Sequence, residues 1–242
     1  MKLRQRYLSA VSERVLSSRA VEVSPSLMCQ ACVDVLPVHG AGISMTNSSL
    51  RVPLGWSSAS VGVAERAQTT LGAGPCLSAA ATRVPLSADA PAIAERWPVY
   101  WDELHRLTSF RSVASVPLRV GDEPAFGALD LYATSADLGS TLDLPEVADA
   151  VADPMATMLS GAFDQLYDED SAVPDWLSED PAVERVAVWT AVGMIVAAGA
   201  QTDADALAVM RAWAYSRGHN LDDTATSLID RDTPVEALFA EA

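Results

Sequence analysis

Apolar residues in the C-terminal third recur at helical spacing. Counting from Val183, the residues Val186, Ala187, Thr190, Ala191, Met194 and Ile195 stand at i+3, i+4, i+7, i+8, i+11 and i+12, which places them on one face of an α-helix. Gly199 ends that run. Thr202 and Asp205 then have the spacing of a capping box, and Ala206, Val209, Met210, Trp213 and Ala214 line one face of a second helix that stops at Gly218. Asn220 and Asp223 repeat the cap ahead of Leu221, Ala225, Leu228 and Ile229. The pattern predicts a bundle of three short amphipathic helices. Beyond it, Thr233 and Pro234 predict one more short helix through Phe239. The stretch 186–202 carries no charge. It is nevertheless Ala/Gly-rich and shorter than the roughly 20 strongly apolar residues of a membrane span, so a core helix is expected.

The preceding residues have a different texture. Leu3, Tyr7, Val11 and Val15 recur every fourth position with Leu8 beside them, predicting an amphipathic N-terminal helix within 1–23. From 24 to 163, short apolar runs are broken by Gly, Pro, Asn and Asp. Helices are predicted at 26–36, 61–70, 76–81 and 146–163. Strands are predicted at 42–46 and 52–56 as a hairpin around Asn47, then at 84–86, 111–120 and 125–134, the last two joined by a tight turn at Gly121 to Pro124. This mixture predicts an α+β domain, an antiparallel sheet with flanking helices. Residues 164–176 are acidic and aperiodic, an expected linker, and Pro174 and Pro181 oppose one continuous helix across it.

Composition narrows the classes. The chain has 242 residues, half of them hydrophobic, enough for one large or two small domains. Its N-terminus is charged and lacks an apolar core, so a cytoplasmic location is expected. Sixteen basic residues face thirty-two acidic ones. The first 23 residues hold five basic and two acidic residues, and residues 176–242 hold four and eleven. A C-terminal segment at −7 argues against tight non-specific nucleic-acid binding, since phosphate neutralisation supplies most of that affinity.

No catalytic set emerges, and no cofactor or metal is expected. Cys29 and Cys32 form a C-x-x-C pair, which reads as a redox pair, half a metal site, or two small buried hydrophobes. There is no second pair, and His39, His105 and His219 are scattered. Cys76, after Gly74 and Pro75, reads as helix-start packing. No phosphate loop accompanies Gly72 and Gly74, because Pro75 follows instead of Lys-Ser/Thr. On the second bundle helix, Arg211 and Tyr215 are i, i+4 neighbours, an arrangement that suits stacking of looped-out bases or simply forms a solvated face. Arg185, Arg217 and His219 stand where they could add phosphate contacts.

Residues Ala191-Val-Gly193-Met194, Asp205-Ala206, Met210-Arg211 through Ala214, and Leu221-x-x-x-Ala225 together resemble the ANTAR domain, an RNA-binding module of bacterial antitermination regulators. Four earlier segments, Gln68-x-Thr-Leu-Gly-x-Gly-Pro-Cys76, Arg96-Trp97-Pro98, Arg111-Ser-Val-x-Ser-x-Pro-Leu118 and Gly127-Ala-Leu-Asp-Leu-Tyr132, are similar to a GAF domain, in the order found ahead of ANTAR. The resemblance implies a sensory domain at 24–163 with a cupped pocket on one sheet face, its ligand unidentified, and an RNA-binding domain at 177–242. It implies a homodimer that binds structured RNA hairpin loops and acts by antitermination, not an enzyme. Its RNA-binding residues would be Arg185, Ala191, Gly193, Arg211, Tyr215, Arg217 and His219. The acidic tail keeps a second expectation open, a dimeric regulator whose bundle docks a protein instead of RNA.

Overall fold

The computed structural model describes residues 2–18, 20, 22–47, 50–136, 138–165, 176 and 182–239. The chain opens with α1 (Leu3–Ser18), which turns Tyr7, Ala10 and Val11 inward. Next, α2 (Pro25–Val35) starts where the Ser24 hydroxyl accepts the Leu27 N–H and Pro25 fills the first turn. Arg14 of α1 grips Asp34 of α2 with two N–H···O contacts of 2.7 and 2.6 Å. Strands β1 (Gly40–Asn47) and β2 (Leu50–Trp56) form the expected hairpin, with a register shift between Ile43 and Ser44. The helix α3 (Ala59–Leu71) ends at Gly72, whose φ of 64° is the left-handed stop that glycine adopts most readily. Then come α4 (Pro75–Thr82) and β3 (Leu86–Asp89), the latter beginning where the predicted strand 84–86 was to end.

Two helices lie where no helical period was read, α5 (Ala90–Arg96) and α6 (Pro98–Leu107). Each opens with its own signal: Asp89 caps α5 by accepting the Ala92 N–H, and Pro91 and Pro98 occupy first-turn positions. Strands β4 (Ser112–Leu118) and β5 (Gly127–Ala133) follow as predicted. The closing helix is one run in three pieces, α7 (Leu144–Val147), a π-helical turn (Ala148–Ala152) and α8 (Asp153–Gln165). Pro154 explains the widened turn, because a proline ring clashes with the carbonyl four residues earlier and supplies no N–H.

The five strands are all antiparallel, in the order β2-β1-β5-β4-β3. Both faces of β4 and β5 are buried. One face packs Ile43, Leu54, Val116, Leu129 and Leu131 against α1, α2 and the closing helix. The other turns Val113 and Tyr132 toward α3, α5 and α6, joining Val61, Ile93, Tyr100, Leu104 and Phe110. Alternation along the strands puts Ser115 and Asp130, a directly paired couple, on this second face too.

The C-terminal helices are α9 (Ala182–Ala198), α10 (Asp203–Ser216) and α11 (Leu221–Ile229), followed by a 3₁₀ turn (Val235–Leu238) where a capped α-helix was predicted. They share a core of Val188, Ala191, Val192, Ile195, Leu207, Met210, Leu221, Ala225 and Leu228. Thr202 accepts the Asp205 N–H and Asn220 the Asp223 N–H, as the caps required. In the first cap, however, the Asp205 carboxylate accepts a hydrogen bond from the Thr202 hydroxyl at 2.7 Å. Among the described residues no single helix is long and apolar enough to cross a membrane, and α9 and α10 meet at a 107° bend. Most of the expected linker 164–176 lies outside the described residues. Its last residue, Trp176, is buried in the sheet domain's core, edge-on to Phe163 at 6.0 Å.

Candidate functional site

Beneath α3, a polar cluster is sealed inside the sheet domain. It centres on Arg51 of β2, which is fully buried together with Glu65, Gln68, Thr69, Ser44, Ser115 and Asp130. A guanidinium has five N–H groups, and every one here has an acceptor. Nε donates to Cys76 Sγ at 3.0 Å. Nη1 donates to the Glu65 carbonyl at 2.9 Å and to Thr69 Oγ1 at 3.2 Å. Nη2 donates to Glu65 Oε2 at 2.5 Å and Asp130 Oδ2 at 3.0 Å. The carboxylates are filled in turn: Tyr132 OH donates to Glu65 Oε1 at 2.6 Å, Ser115 Oγ to Asp130 Oδ1 at 2.5 Å, and Gln68 Nε2 to Asp130 Oδ2 at 2.8 Å. Gln68 Oε1 accepts the Cys76 N–H, tying the start of α4 to α3. Gly42 makes room for this arrangement, since a Cβ there would stand 2.5 Å from the Glu65 carboxyl carbon.

A cupped pocket was expected on one face of the sheet, and on this face the interior is filled by the protein's own side chains, Arg51 foremost. A dry ion cluster survives only when each charge is paired and hydrogen-bonded, and this one meets that condition by saturating Arg51. It nevertheless holds two carboxyls against one guanidinium. Burial, opposed by Arg51 and reinforced by Asp130, raises the Glu65 carboxyl to about 7. Burial likewise pushes the Cys76 thiol up to about 12, so it stays protonated beside Arg51. The sequence reading assigned Cys76 to packing and did not foresee its place in the cluster. The available signal was the polar residue within an apolar strand, Asp130 in GALDLYA, and the glutamate on the inner face of α3.

The outer side of α3 carries the C-terminal bundle. Arg211 Nε of α10 donates to the Thr69 carbonyl at 3.3 Å. Thr70 Oγ1 accepts the Leu221 N–H at 3.1 Å, and Arg66 Nε stands 3.9 Å from Asp222 Oδ2. Val52 of β2 packs against the bundle core nearby. Burial lowers the Arg211 guanidinium from its ordinary value. A cavity of about 300 Å³ lies along this seam, walled by Arg66, Thr70 and Leu71 of α3, Glu103 and Arg106 of α6, and Tyr215, His219 and Asn220 of the bundle.

Of the seven residues expected to meet RNA, those whose side chains are described do not form one patch. Arg211 lies half-buried in the seam, because its guanidinium reaches the end of α3, so the expectation of a single open Arg211–Tyr215 face is corrected. Tyr215 is 48% exposed. It borders the seam cavity with His219. Arg217 instead lies over the Trp213 indole, 3.2 Å from its ring centre. Both flank a shallow hollow with Val209, Ala212 and Leu238. Trp213 packs partly buried against the bundle core, as its place on the inward face predicts, and its pairing with Arg217 is an addition that helical spacing did not indicate. Ala191 is fully buried in the bundle core and is not available for contact. Gly193 lies on an open face of α9, with nothing near its missing Cβ. Arg185 belongs to the first turns of α9, and its side chain lies outside the described residues. Cys29 and Cys32 are wholly buried, their thiols raised above the ordinary range by desolvation.

No family model matches the sequence. No curated protein matches it either. Among solved structures, the chain is similar to the GAF domain of a phosphoenolpyruvate-protein phosphotransferase from Coxiella burnetii, at 14% identity and a TM-score of 0.47, covering 68% of this chain and 98% of that one. A GAF domain from A. aeolicus, in an inactive state, is similar at 12% identity and a TM-score of 0.42, covering 66% and 98%. A type II free methionine-R-sulfoxide reductase from Thermoplasma acidophilum is similar at 17% identity and a TM-score of 0.40, covering 66% and 96%. No activity of those proteins is carried to this chain by such likeness.

Proposed function

We propose that the chain is a signal-responsive regulator in which a GAF-like sensory domain controls an ANTAR-like helical bundle that binds structured RNA hairpin loops and acts by antitermination. The observation that carries this reading is the direct grip of α10 and α11 on α3, the helix that also closes the buried ion cluster. A change inside the sheet domain thereby has a physical route to the bundle. Support for the RNA half comes from two separate parts of α10's surface, Tyr215 beside the seam and the Arg217–Trp213 pair away from it, which offer aromatic and guanidinium surfaces of the kind that stack on unpaired bases. A homodimer is part of the proposal, and the signal itself is a ligand or partner of the sheet domain. The test is binding of the full chain to hairpin RNAs across a salt series, beside Arg217→Ala and Tyr215→Ala. Wild-type binding that weakens as salt rises, with loss in both variants, supports the reading. Binding that is absent at low salt, or equal in all three proteins, removes it.

The charge balance favours one second reading. With four basic and eleven acidic residues from 176 onward, the bundle suits a protein partner better than a polyanion. In that case the same salt series leaves RNA unbound while a partner remains on the bundle at high salt.

A further inference from the structure

The contacts across the seam share one chemical character. A helix leaves its first N–H groups and last C=O groups without intrahelical partners. The Thr69 carbonyl lies in the last turn of α3, which contains no basic residue of its own, and it receives a guanidinium from α10. A cation at that position is also favoured by the helix dipole. Leu221 is the first residue of α11, so its N–H is one of the unpartnered donors, and α3 supplies the acceptor through Thr70 Oγ1. Each body thus caps a helix of the other. Gly72 fits the same arrangement, since a Cβ there would approach Arg211 Cζ to 2.7 Å. Such contacts exchange readily with water, because a freed carbonyl or N–H at a helix end is solvated on opening.

Thr69 ties this seam to the cluster inside. Its hydroxyl accepts Arg51 Nη1 at 3.2 Å and donates to the Glu65 carbonyl at 3.0 Å, while its carbonyl accepts Arg211. Two guanidinium groups from distant parts of the chain hold one residue from opposite sides.

We propose that this reciprocal capping is a releasable latch: docked on α3, the bundle has Arg211 committed to the Thr69 carbonyl, and rearrangement of the Arg51 cluster loosens the dock through Thr69. The latch stands on the geometry alone. Its consequence, that the docked state withholds Arg211 from RNA, rests on the reading proposed above. Opening exposes α3's C-terminal carbonyls and α11's N-terminal N–H groups together, so the seam is lost as a unit rather than contact by contact.

The experiment is amide hydrogen exchange on the full-length chain, reading the Leu221 N–H, whose acceptor lies across the seam. Ile195 in the bundle and Leu131 in the sheet serve as folding controls. Thr70→Val removes the acceptor and calibrates the assay, with Leu221 exchange rising roughly fivefold, the worth of one hydrogen bond. Thr69→Val keeps side-chain shape and removes only the hydroxyl facing Arg51. Glu65→Gln, compared with wild type at pH 8 where the native carboxyl is ionised, alters the cluster's charge without touching the seam. A change at Leu221 of about threefold or more in either variant, with the controls unmoved, supports the latch. Leu221 at the wild-type rate in both, while Thr70→Val responds, overturns it. If one variant also speeds Leu131, the other decides alone. If both do, Gly72→Ala decides: it pushes on Arg211 from outside the cluster, and an unmoved Leu221 there overturns the latch. Hairpin-RNA binding is measured in parallel with Thr70→Val, which leaves Arg211 intact. Tighter binding than wild type supports withholding of Arg211. Absence of RNA binding in every form removes the RNA reading, and the exchange result still decides the latch.

Discussion

Glu65→Gln isolates the cost of enclosing two carboxyls with a single guanidinium. In the folded protein the Glu65 carboxyl titrates near 7, against 4.5 as its ordinary value. The folded state therefore holds this proton more tightly than the unfolded chain does. Its contribution is fully present below pH 4.5, declines as pH rises through that interval, and is gone above about 7. At about 1.4 kcal/mol per unit, the interval corresponds to about 3 kcal/mol of stability lost on going from mildly acid to mildly basic solution. Glutamine retains a carbonyl acceptor for Arg51 Nη2 and cannot ionise. Other carboxylates titrate in the same range, so the informative quantity is the difference between variant and wild type. Urea unfolding at several pH values from 4 to 8 measures it. Relative to wild type, Glu65→Gln should gain about 3 kcal/mol from the acid end to the basic end. A difference that stays flat across the series would refute the claim that its surroundings raise the Glu65 carboxyl toward neutral pH.

Three further outcomes follow from the same structure. Arg51→Met leaves Glu65 and Asp130 buried without their guanidinium and should cost about 3–5 kcal/mol by urea unfolding, with addition of guanidinium ions at low concentration restoring part of the loss. Met210→Ala hollows the bundle core at a fully buried position and should cost about 2–5 kcal/mol, read as faster exchange at Ile195 with Leu131 unchanged. Gly72→Ala combines a left-handed φ of 64° with crowding of Arg211, so the melting temperature falls and Leu221 exchange rises, whereas a space-only effect would leave the melting temperature untouched.

What could be read from the sequence was whatever repeats locally. The bundle's three helices, their Thr202 and Asn220 caps and the β1–β2 and β4–β5 hairpins follow from short-range periodicity and turn chemistry, and the structure has them where the pattern put them. Helices α5 and α6 were missed because each is short and carries a proline in its first turn, so the pattern around Trp97 shows caps but too few turns to show a period. The π turn was missed because Pro154 bends a helix without ending it. The ion cluster was invisible for another reason. Arg51, Glu65 and Asp130 are separated by 14 and 65 positions, and each looks like a surface residue until the sheet brings them together. The misplacement of Arg211 has the same origin, since helical spacing gives the direction of a side chain but not what another domain sets in front of it.

The positions of the bundle's cations bound what RNA binding by it can look like. From residue 176 onward the chain has only four, Arg185, Arg211, Arg217 and Arg231. Arg211 is engaged by α3 and Arg217 lies over Trp213 in the docked arrangement. Even if all four reached phosphates, a single-stranded loop would give a slope of log affinity against log salt no steeper than about −3. With Arg211 held back the limit becomes about −2, and base stacking has to supply the rest. A salt titration of the full chain on a hairpin loop reads this slope directly, and Thr70→Val, which frees the seam, should steepen it by roughly one contact's worth, about 0.7. A wild-type slope well beyond −3 would mean that the phosphates are held elsewhere. The first 23 residues, with five basic side chains against two acidic, would then be the place to look, and the bundle would no longer be the nucleic-acid interface.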